Sequence, residues 1–414
     1  MSRVRRLALW LARPLAWILL VSGLVLALAW LYAFVATDST LLGQLLWWGS
    51  LLLAGLSAGC LALAVLLRRA GAFATGPGGA VADATGRRPP VGADAPLLRA
   101  WRSHRRWHRA RKLAWLAVVV MATGEAWHGL NMRSLLAPVQ AVPAKSLLVV
   151  HWNSSVGEVA DADAASMAKR LGRTGPPDVV LASIQNYHAQ WEAIKGVMRR
   201  FEGEEIFFGF SGMQKVFSRY PIVSQRMFLI PVFLGTDGER VAPTLPAGVE
   251  RSLRRFFRTI GVFPRDANRL DPASVMVVEL DTTGHLGCLT TIYFVDYPSN
   301  PVAHRVAIAR LVRSHMQTLA KGGPESSPVS PASLIIGDFN TPRGSASLGE
   351  LAPGYFEASR TAGLGPLATW PRRWSVLHID HALVSPRWRS EGYELIDPGL
   401  SEHDAQRVRI WPGP

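Results

Sequence analysis

Cysteine is nearly absent: two residues in 414, Cys60 in an apolar stretch and Cys288 far downstream. A disulfide between them is not expected, so cysteine carries no information about the redox compartment. There is no Cys-x-x-Cys, and no Cys/His spacing suggests zinc. Acidic residues are scarce in the first third. Residues 1–132 hold fifteen Arg and Lys against Asp38, Asp83, Asp94 and Glu125, a net of +11, whereas the remaining 282 residues carry 30 basic and 26 acidic groups. A total of +15 and a pI near 10.6 invite a nucleic-acid reading. The location of the excess argues otherwise. Nucleic acid stays a possible partner, one that the charge distribution does not support. No internal repeat is clear enough to use.

Apolar residues are what the chain has in excess, 49% with a positive mean hydropathy, and they concentrate in the same first third. Leu15 to Ala36 is an almost unbroken apolar run, long enough to cross a bilayer core and preceded by Arg3, Arg5, Arg6 and Arg13. Phe34-Val35-Ala36 mimics a signal cleavage site, but the run is too long for a usual signal peptide and a second apolar run follows at once. That second run, 41–67, stops at Arg68-Arg69, and a third covers 113–130, interrupted near its end by Glu125 and His128. Between them, the stretch 68–112 is rich in Gly, Ala and Pro and closes on the basic run Arg99 to Lys112. Trp101, Trp107, His104 and His108 interleave with that run, yet a cytoplasmic flank obeying the positive-inside rule, lying on anionic lipid, accounts for it more simply. The reading is an anchor over 1–133 with three transmembrane helices in an inner (plasma) membrane, a linker at 134–145, and a domain over 146–414 outside the cytoplasm.

That domain is organised around Leu334-Ile335-Ile336-Gly337-Asp338-Phe339-Asn340, a buried strand breaking into a turn closed by Pro342 and Gly344. If the backbone stays extended past the strand, Asp338 and Asn340 share a face and suit a divalent cation and a phosphate. An Asp/Asn turn with no further role is the competing reading of this stretch alone. Further strands are expected at 146–153, 178–182 and 214–222, a hairpin at 275–280 and 289–295, and helices at 161–171 and 302–319. Residues 234–274 read as an insertion carrying Arg251, Arg254, Arg255 and Arg258 at helical spacing. Strands and helices interleave, so the class is α/β or α+β.

Two more segments carry paired polar groups, Ile379-Asp380-His381 and Ser401-Glu402-His403. Together with Asn153 and Asp338-Phe339-Asn340, they resemble the endonuclease/exonuclease/phosphatase family, which includes DNase I, apurinic endonucleases, inositol polyphosphate phosphatases and neutral sphingomyelinases. Ser218-Arg219-Tyr220-Pro221 and Thr369-Trp370-Pro371 are similar to that family too, especially its bacterial members with hydrophobic N-terminal spans. The resemblance implies a four-layer α-β-β-α sandwich (DNase I-like) with its site at one end of two sheets. It implies that Asp338 positions the attacking water, Asn340 binds phosphate, and Asp380 orients His403 as general base or electrostatic partner. It assigns Asn153 and Glu402 to a Mg²⁺ (or Mn²⁺) site, Glu402 standing where the family has Asp. Such an ion favours hard oxygen ligands.

Two departures stand out. After Asp178 to Leu181 the family places a metal-binding Glu, where this chain reads Ile184-Gln185-Asn186, leaving Gln185 as a weaker neutral donor. Glu158 and Asp296 are the nearest carboxylates that could replace it. The phosphate-contacting His of the family falls in Tyr293-Phe294-Val295-Asp296, where Phe294 cannot donate a proton. Two functions remain: a membrane-anchored, metal-dependent phosphoester hydrolase of unknown substrate with an altered site, and an inactive relative that binds or senses at the membrane.

Overall fold

The structure, a computed structural model, describes residues 3–73, 95–136, 141–154, 161–173, 175–184, 188–230, 272–299, 303–322, 328–365, 367–372 and 375–413. The stretch 74–94, Glu158, Gln185 and residues 234–271, with their four arginines, lie outside them.

The chain forms two compact units, one of Met1–Ala36 with Gly49–Glu125, the other of Thr37–Trp48 with Ala126–Pro414. Helices α1 (Arg3–Ala36), α2 (Leu41–Trp48), α3 (Ser50–Phe73) and α4 (Ala95–Gly129) open the chain. Within the first unit, α1 and α3 pack where Gly23 leaves no room for a side chain: a Cβ there would lie 2.7 Å from Leu61. Ser57 Oγ donates to the Gly23 carbonyl at 2.7 Å. By length and composition, Pro14–Ala36 and Ser50–Arg68 could each cross a membrane. The expected 41–67 run is not one helix. It breaks at Gly49, and its first part, α2, belongs to the second unit. Hydropathy does not separate the two parts, because Leu41 to Trp48 is as apolar as a span. What sets α2 apart is the fully buried amide of Gln44, which donates to the Ala303 carbonyl at 2.9 Å. The third run is the C-terminal part of α4, continuous with the basic run before it. Within the first unit, Glu125 accepts a hydrogen bond from Trp30 Nε1 at 2.7 Å.

In the second unit, β1 (Leu147–Asn153), β2 (Val179–Ser183), β3 (Phe207–Ser211), β4 (Gln214–Ser218), β11 (Trp388–Ile396) and β12 (Ala405–Pro412) form one six-stranded sheet, ordered β11-β12-β1-β2-β4-β3. The other, ordered β5-β6-β7-β8-β10-β9, takes β5 (Ile222–Ile230), β6 (Ala273–Leu280), β7 (Thr290–Asp296), β8 (Leu334–Asp338), β9 (Phe356–Glu357) and β10 (Asp380–Val384). Each sheet has one parallel pair, β1 with β2 and β7 with β8; the other pairs are antiparallel. Parallel neighbours need a crossover. Helix α5 (Asp161–Leu171) supplies the first, and α8 (Arg305–Lys321) the second; α6 (His188–Met198) follows β2 and α7 (Thr283–Leu286) is a single turn before β7.

Strand alternation sorts the core into three layers. Leu147, Val149, Ile292, Phe294, Leu334, Ile336, Val408 and Ile410 meet between the sheets. Val150, Trp152 and Val180 pack against Met167, Leu171 and Ile194 of α5 and α6, and Tyr293, Val295 and Ile335 pack against Ile308 and Val312 of α8. The result is the expected four-layer α-β-β-α sandwich. Burying each such aliphatic side chain contributes about 1.5–3 kcal/mol. The Ser218-Arg219-Tyr220-Pro221 turn is structural. Arg219 pairs with Asp178 at 3.1 Å and with Glu204, while Asp178 Oδ2 accepts the Leu148 amide, near the start of β1 and far along that strand from Asn153.

Candidate active site

The inter-sheet stripe does not end where the apolar residues end. Continued by the strand period of two, Leu147, Val149 and His151 lead to Asn153; Ile292 and Phe294 lead to Asp296; Leu334 and Ile336 lead to Asp338. Val384 and Ala382, read backwards along the antiparallel β10, lead to Asp380. Asp338 lies directly across from Asp380 on one side and from Asp296 on the other. The polar residues at this mouth are the largely buried end of the same face whose interior is hydrocarbon.

Asp338 is held from two directions. Its Oδ2 accepts from Asn153 Nδ2 at 2.8 Å, joining the two sheets, and its Oδ1 accepts from the Asn340 amide at 2.8 Å. The backbone is not extended past Asp338: Asn340 has φ 45°, a left-handed conformation that Asn tolerates better than most residues. The Asp/Asn turn and the acidic site are therefore one structure rather than competing readings. Asn340 Nδ2 donates to the Tyr297 carbonyl at 2.8 Å, which fixes its amide beside Asp338.

His403 comes from the loop between β11 and β12. Ser401 Oγ accepts the His403 amide at 2.9 Å and donates to the Asn153 carbonyl at 2.5 Å, tying that loop to the end of β1. His403 Nδ1 bonds Asp380 Oδ2 at 2.9 Å, and its Nε2 faces Asp338 Oδ2 at 3.8 Å. Thr369 Oγ1 accepts the Ile379 and Asp380 amides at 3.2 and 3.3 Å. The sequence resemblance to Thr369-Trp370-Pro371 thus has a local purpose: it seats Asp380.

Burial pushes the Asp338 carboxyl upward, the Asp380 charge adds to this, and the nearby His403 only partly opposes it. Burial also acts upward on Asp380, but the charge and hydrogen bond of His403 outweigh it and leave that carboxyl below its ordinary value. Burial alone would lower His403; the Asp380 charge and hydrogen bond, with Asp338 and Asp296, raise it to about 9. The pair is therefore an imidazolium–carboxylate at neutral pH, with a second, easily protonated carboxyl opposite. Because His403 is raised above its unfolded value, its stabilising contribution is complete below about pH 6.5 and is lost as pH climbs through about 9. Metal-free protein is expected to lose melting temperature between pH 7 and pH 10. In His403→Ala this alkaline loss should largely disappear; thermal melts showing an unchanged slope in that variant would refute the assignment.

Asp338, Asp380 and His403 each present a ligand atom within 4.8 Å of the others, and Asp380 Oδ1 is buried without a hydrogen-bond partner. Two buried carboxylates, one with an orphaned oxygen, fit a small divalent cation, whose charge would relieve the repulsion across β8 and β10. With Nδ2 committed to Asp338, the Asn153 amide could offer its Oδ1 to such an ion. Glu402 is not brought into this group. Its side chain is exposed, and its carbonyl accepts the Arg372 amide at 2.7 Å. Phe294 is fully buried in the inter-sheet core and Tyr293 faces α8, so neither reaches the mouth. The residue of β7 that does is Asp296, whose charge acts on His403. Sequence reasoning missed His151, two residues before Asn153 on the same face. Burial lowers it to about 4, so it is neutral, and its Nδ1 accepts from Gln406 Nε2 at 3.0 Å.

Two mixed sheets packed face to face, with helices outside and this polar mouth, make the domain an α/β sandwich of the DNase I-like fold. Residues 131–403 match the Endonuclease/Exonuclease/phosphatase family, and the chain belongs to it. Among solved structures it is similar to an endonuclease/exonuclease/phosphatase from Beutenbergia cavernae, at 16% identity and a TM-score of 0.39 over 65% of this chain and 72% of that one. It is also similar to truncated TDP2 of Caenorhabditis elegans (12% identity, TM-score 0.39, 64% and 98% covered). A third is the AP endonuclease LMAP of Leishmania major (12% identity, TM-score 0.36, 66% and 90% covered). No curated protein matches the chain.

Proposed function

We propose that the protein is a membrane-anchored, divalent-metal-dependent phosphoester hydrolase, acting on a phosphodiester outside the cytoplasm. The observation that carries this reading is the joined set Asn153–Asp338 and Asp380–His403 at one mouth. Asp380 fixes His403 through Nδ1, leaving Nε2 to hold or move a proton at the reacting oxygen. The 3.8 Å between Nε2 and Asp338 Oδ2 is too long for a direct hydrogen bond, and a water or phosphate oxygen beside them can contact both. Asp338 orients that water, and Asn340, held by Tyr297, presents its amide to the phosphate. A bound Mg²⁺ or Mn²⁺ would supply Lewis-acid stabilisation of the charge developing on phosphate. Asp296, at the end of β7, is the carboxylate that compensates for the absence of a family Glu near Gln185.

Two observations support the location. The basic excess lies before residue 113, and the connection Thr37–Trp48 between the apolar helices belongs to the same compact unit as 126–414. With three spans, the positive-inside rule keeps the basic 68–112 stretch inside and leaves the chain after residue 133 outside. Intact spheroplasts expressing the full chain are expected to hydrolyse externally added bis(p-nitrophenyl) phosphate with Mn²⁺, and spheroplasts carrying Asp338→Ala are not. Hydrolysis seen only after lysis would overturn the sidedness, and none in either preparation would overturn the hydrolase in favour of an inactive binding domain.

A further inference from the structure

The turn that follows Asp338 is held by residues far away in sequence, and those residues adjoin the apolar helices. Helix α9 (Ala346–Leu351) ends the turn, and its own N-cap residue, Ser345, makes no side-chain cap. The cap comes instead from the connection between α1 and α3. Thr37 Oγ1 accepts the Ala346 amide and Asp38 Oδ1 accepts the Ser347 amide, each at 3.1 Å. These are two of the amides a helix start leaves unsatisfied, and an anionic acceptor there is favoured. Asp38 is fully buried.

The same connection reaches the turn by a second route. Gln44 donates to the Ala303 carbonyl at 2.9 Å and accepts the Arg305 amide at 3.2 Å, so it seats the first residue of α8. The fully buried Arg305 then donates from Nε to the Asn340 carbonyl at 2.8 Å. Burial lowers Arg305 to about 10, opposed by the Asp338 and Asp38 charges, so it remains a cation at physiological pH.

Just after α4, Asn131 grips the other side. It is fully buried at φ 51°, donates to the Ser359 and Gly363 carbonyls at 2.8 Å each, and accepts from the guanidinium of Arg343. Arg343 also bonds Glu357 at 3.2 Å; Glu357 lies 3.4 Å from His381, which bonds the Thr341 carbonyl at 2.7 Å. Five of the eight residues from Asn340 to Ser347 are thereby fixed from outside the turn.

We propose that two segments next to the apolar helices, Thr37–Gln44 between α1 and α3 and Asn131 just after α4, are positioning elements of the catalytic turn. The full-length chain, rather than the sandwich from residue 134 onward, is then the competent enzyme. This rests on the hydrolase reading for its kinetic consequence and on the geometry alone for its structural one.

The test uses the full chain in lipid nanodiscs, with Gln44→Ala and Asn131→Gly; glycine tolerates the left-handed backbone and removes the side chain with its amide. Arg310→Ala, which breaks an exposed pair with Glu350, is the control. Hydrogen exchange across 340–347 is expected to quicken at least tenfold in both variants while β1 and β12 stay protected. With bis(p-nitrophenyl) phosphate and Mn²⁺, kcat is expected to fall at least tenfold with KM within twofold. Exchange across the turn as slow as wild type would overturn the proposal. So would quickened exchange with unchanged kcat, or a loss of protection that spreads to β1 and β12, which marks a merely structural role. A wild-type chain without activity defeats the hydrolase reading instead, and the exchange pattern still decides whether these segments hold the turn.

Discussion

Asp380→Asn is expected to reduce kcat for a phosphodiester by about three orders of magnitude or more while leaving the domain folded. The aspartate has one partner that matters, His403 Nδ1 at 2.9 Å, and it is the leading cause of that histidine's rise to about 9. An asparagine can face Nδ1 with its oxygen or its amide, and the amide favours the tautomer with the proton on Nε2, the wrong one for a base. A comparable substitution behind the histidine of a serine protease costs about 10⁴ in kcat, which sets the scale. The substitution also removes the charge lying directly across the strand pair from Asp338, a like-charge contact that destabilises sheets. Folding is therefore expected to survive, and the Asp338 carboxyl to fall towards its ordinary range. The acidic limb of the pH–rate profile should move to lower pH, because His403 loses the group that holds its proton and reaches its basic form sooner. A kcat within tenfold of wild type, or an unmoved acidic limb, would remove Asp380 from the mechanism.

What could be read in the sequence follows from the range of the forces involved. The helix Asp161–Leu171 and the strands around Leu334 to Ile336 were legible because local periodicity fixes them. Asn153, Asp338, Asp380 and His403 were legible as a set through family resemblance, and the structure brings all four together. Three things were not legible. Leu41 to Trp48 has the composition of a membrane span, and only Gln44 with Asp38, buried against residues some 260 and 309 positions away, marks it as sandwich. The register of β7 hides which side chain reaches the mouth; Phe294 packs inside, and two residues on, Asp296 emerges. Asn340 escapes strand alternation because its backbone turns left-handed just past Asp338. Glu402 shows the converse limit: position in a motif placed it in the site, whereas the folded loop turns it to solvent.

Gly337→Ala is expected to destabilise the domain severely, because among the described glycines it is the one where an added methyl would meet backbone most closely. Gly337 precedes Asp338 in β8 with φ 155°, and a Cβ there would sit 1.8 Å from the carbonyl oxygen of Val295, its register partner on β7. That obstacle is backbone, so no rotamer change relieves it; the parallel ladder must open where Asp296 and Asp338 meet. Such a clash belongs with the exceptional substitutions costing more than about 4–5 kcal/mol, against a total stability of about 5–15 kcal/mol. Gly349→Ala supplies the contrast. Nothing lies within 4 Å of a Cβ at that position on α9, so the same methyl should raise stability by about 0.4–1 kcal/mol through the unfolded chain. Thermal melts and membrane-fraction yields of the two variants measure both signs, and a Gly337→Ala protein melting within a few degrees of wild type would disprove the close approach. The glycine between Ile336 and Asp338 thus has a steric reason that owes nothing to phosphate: without it β7 and β8 cannot stay paired to their ends, and the acidic mouth cannot form.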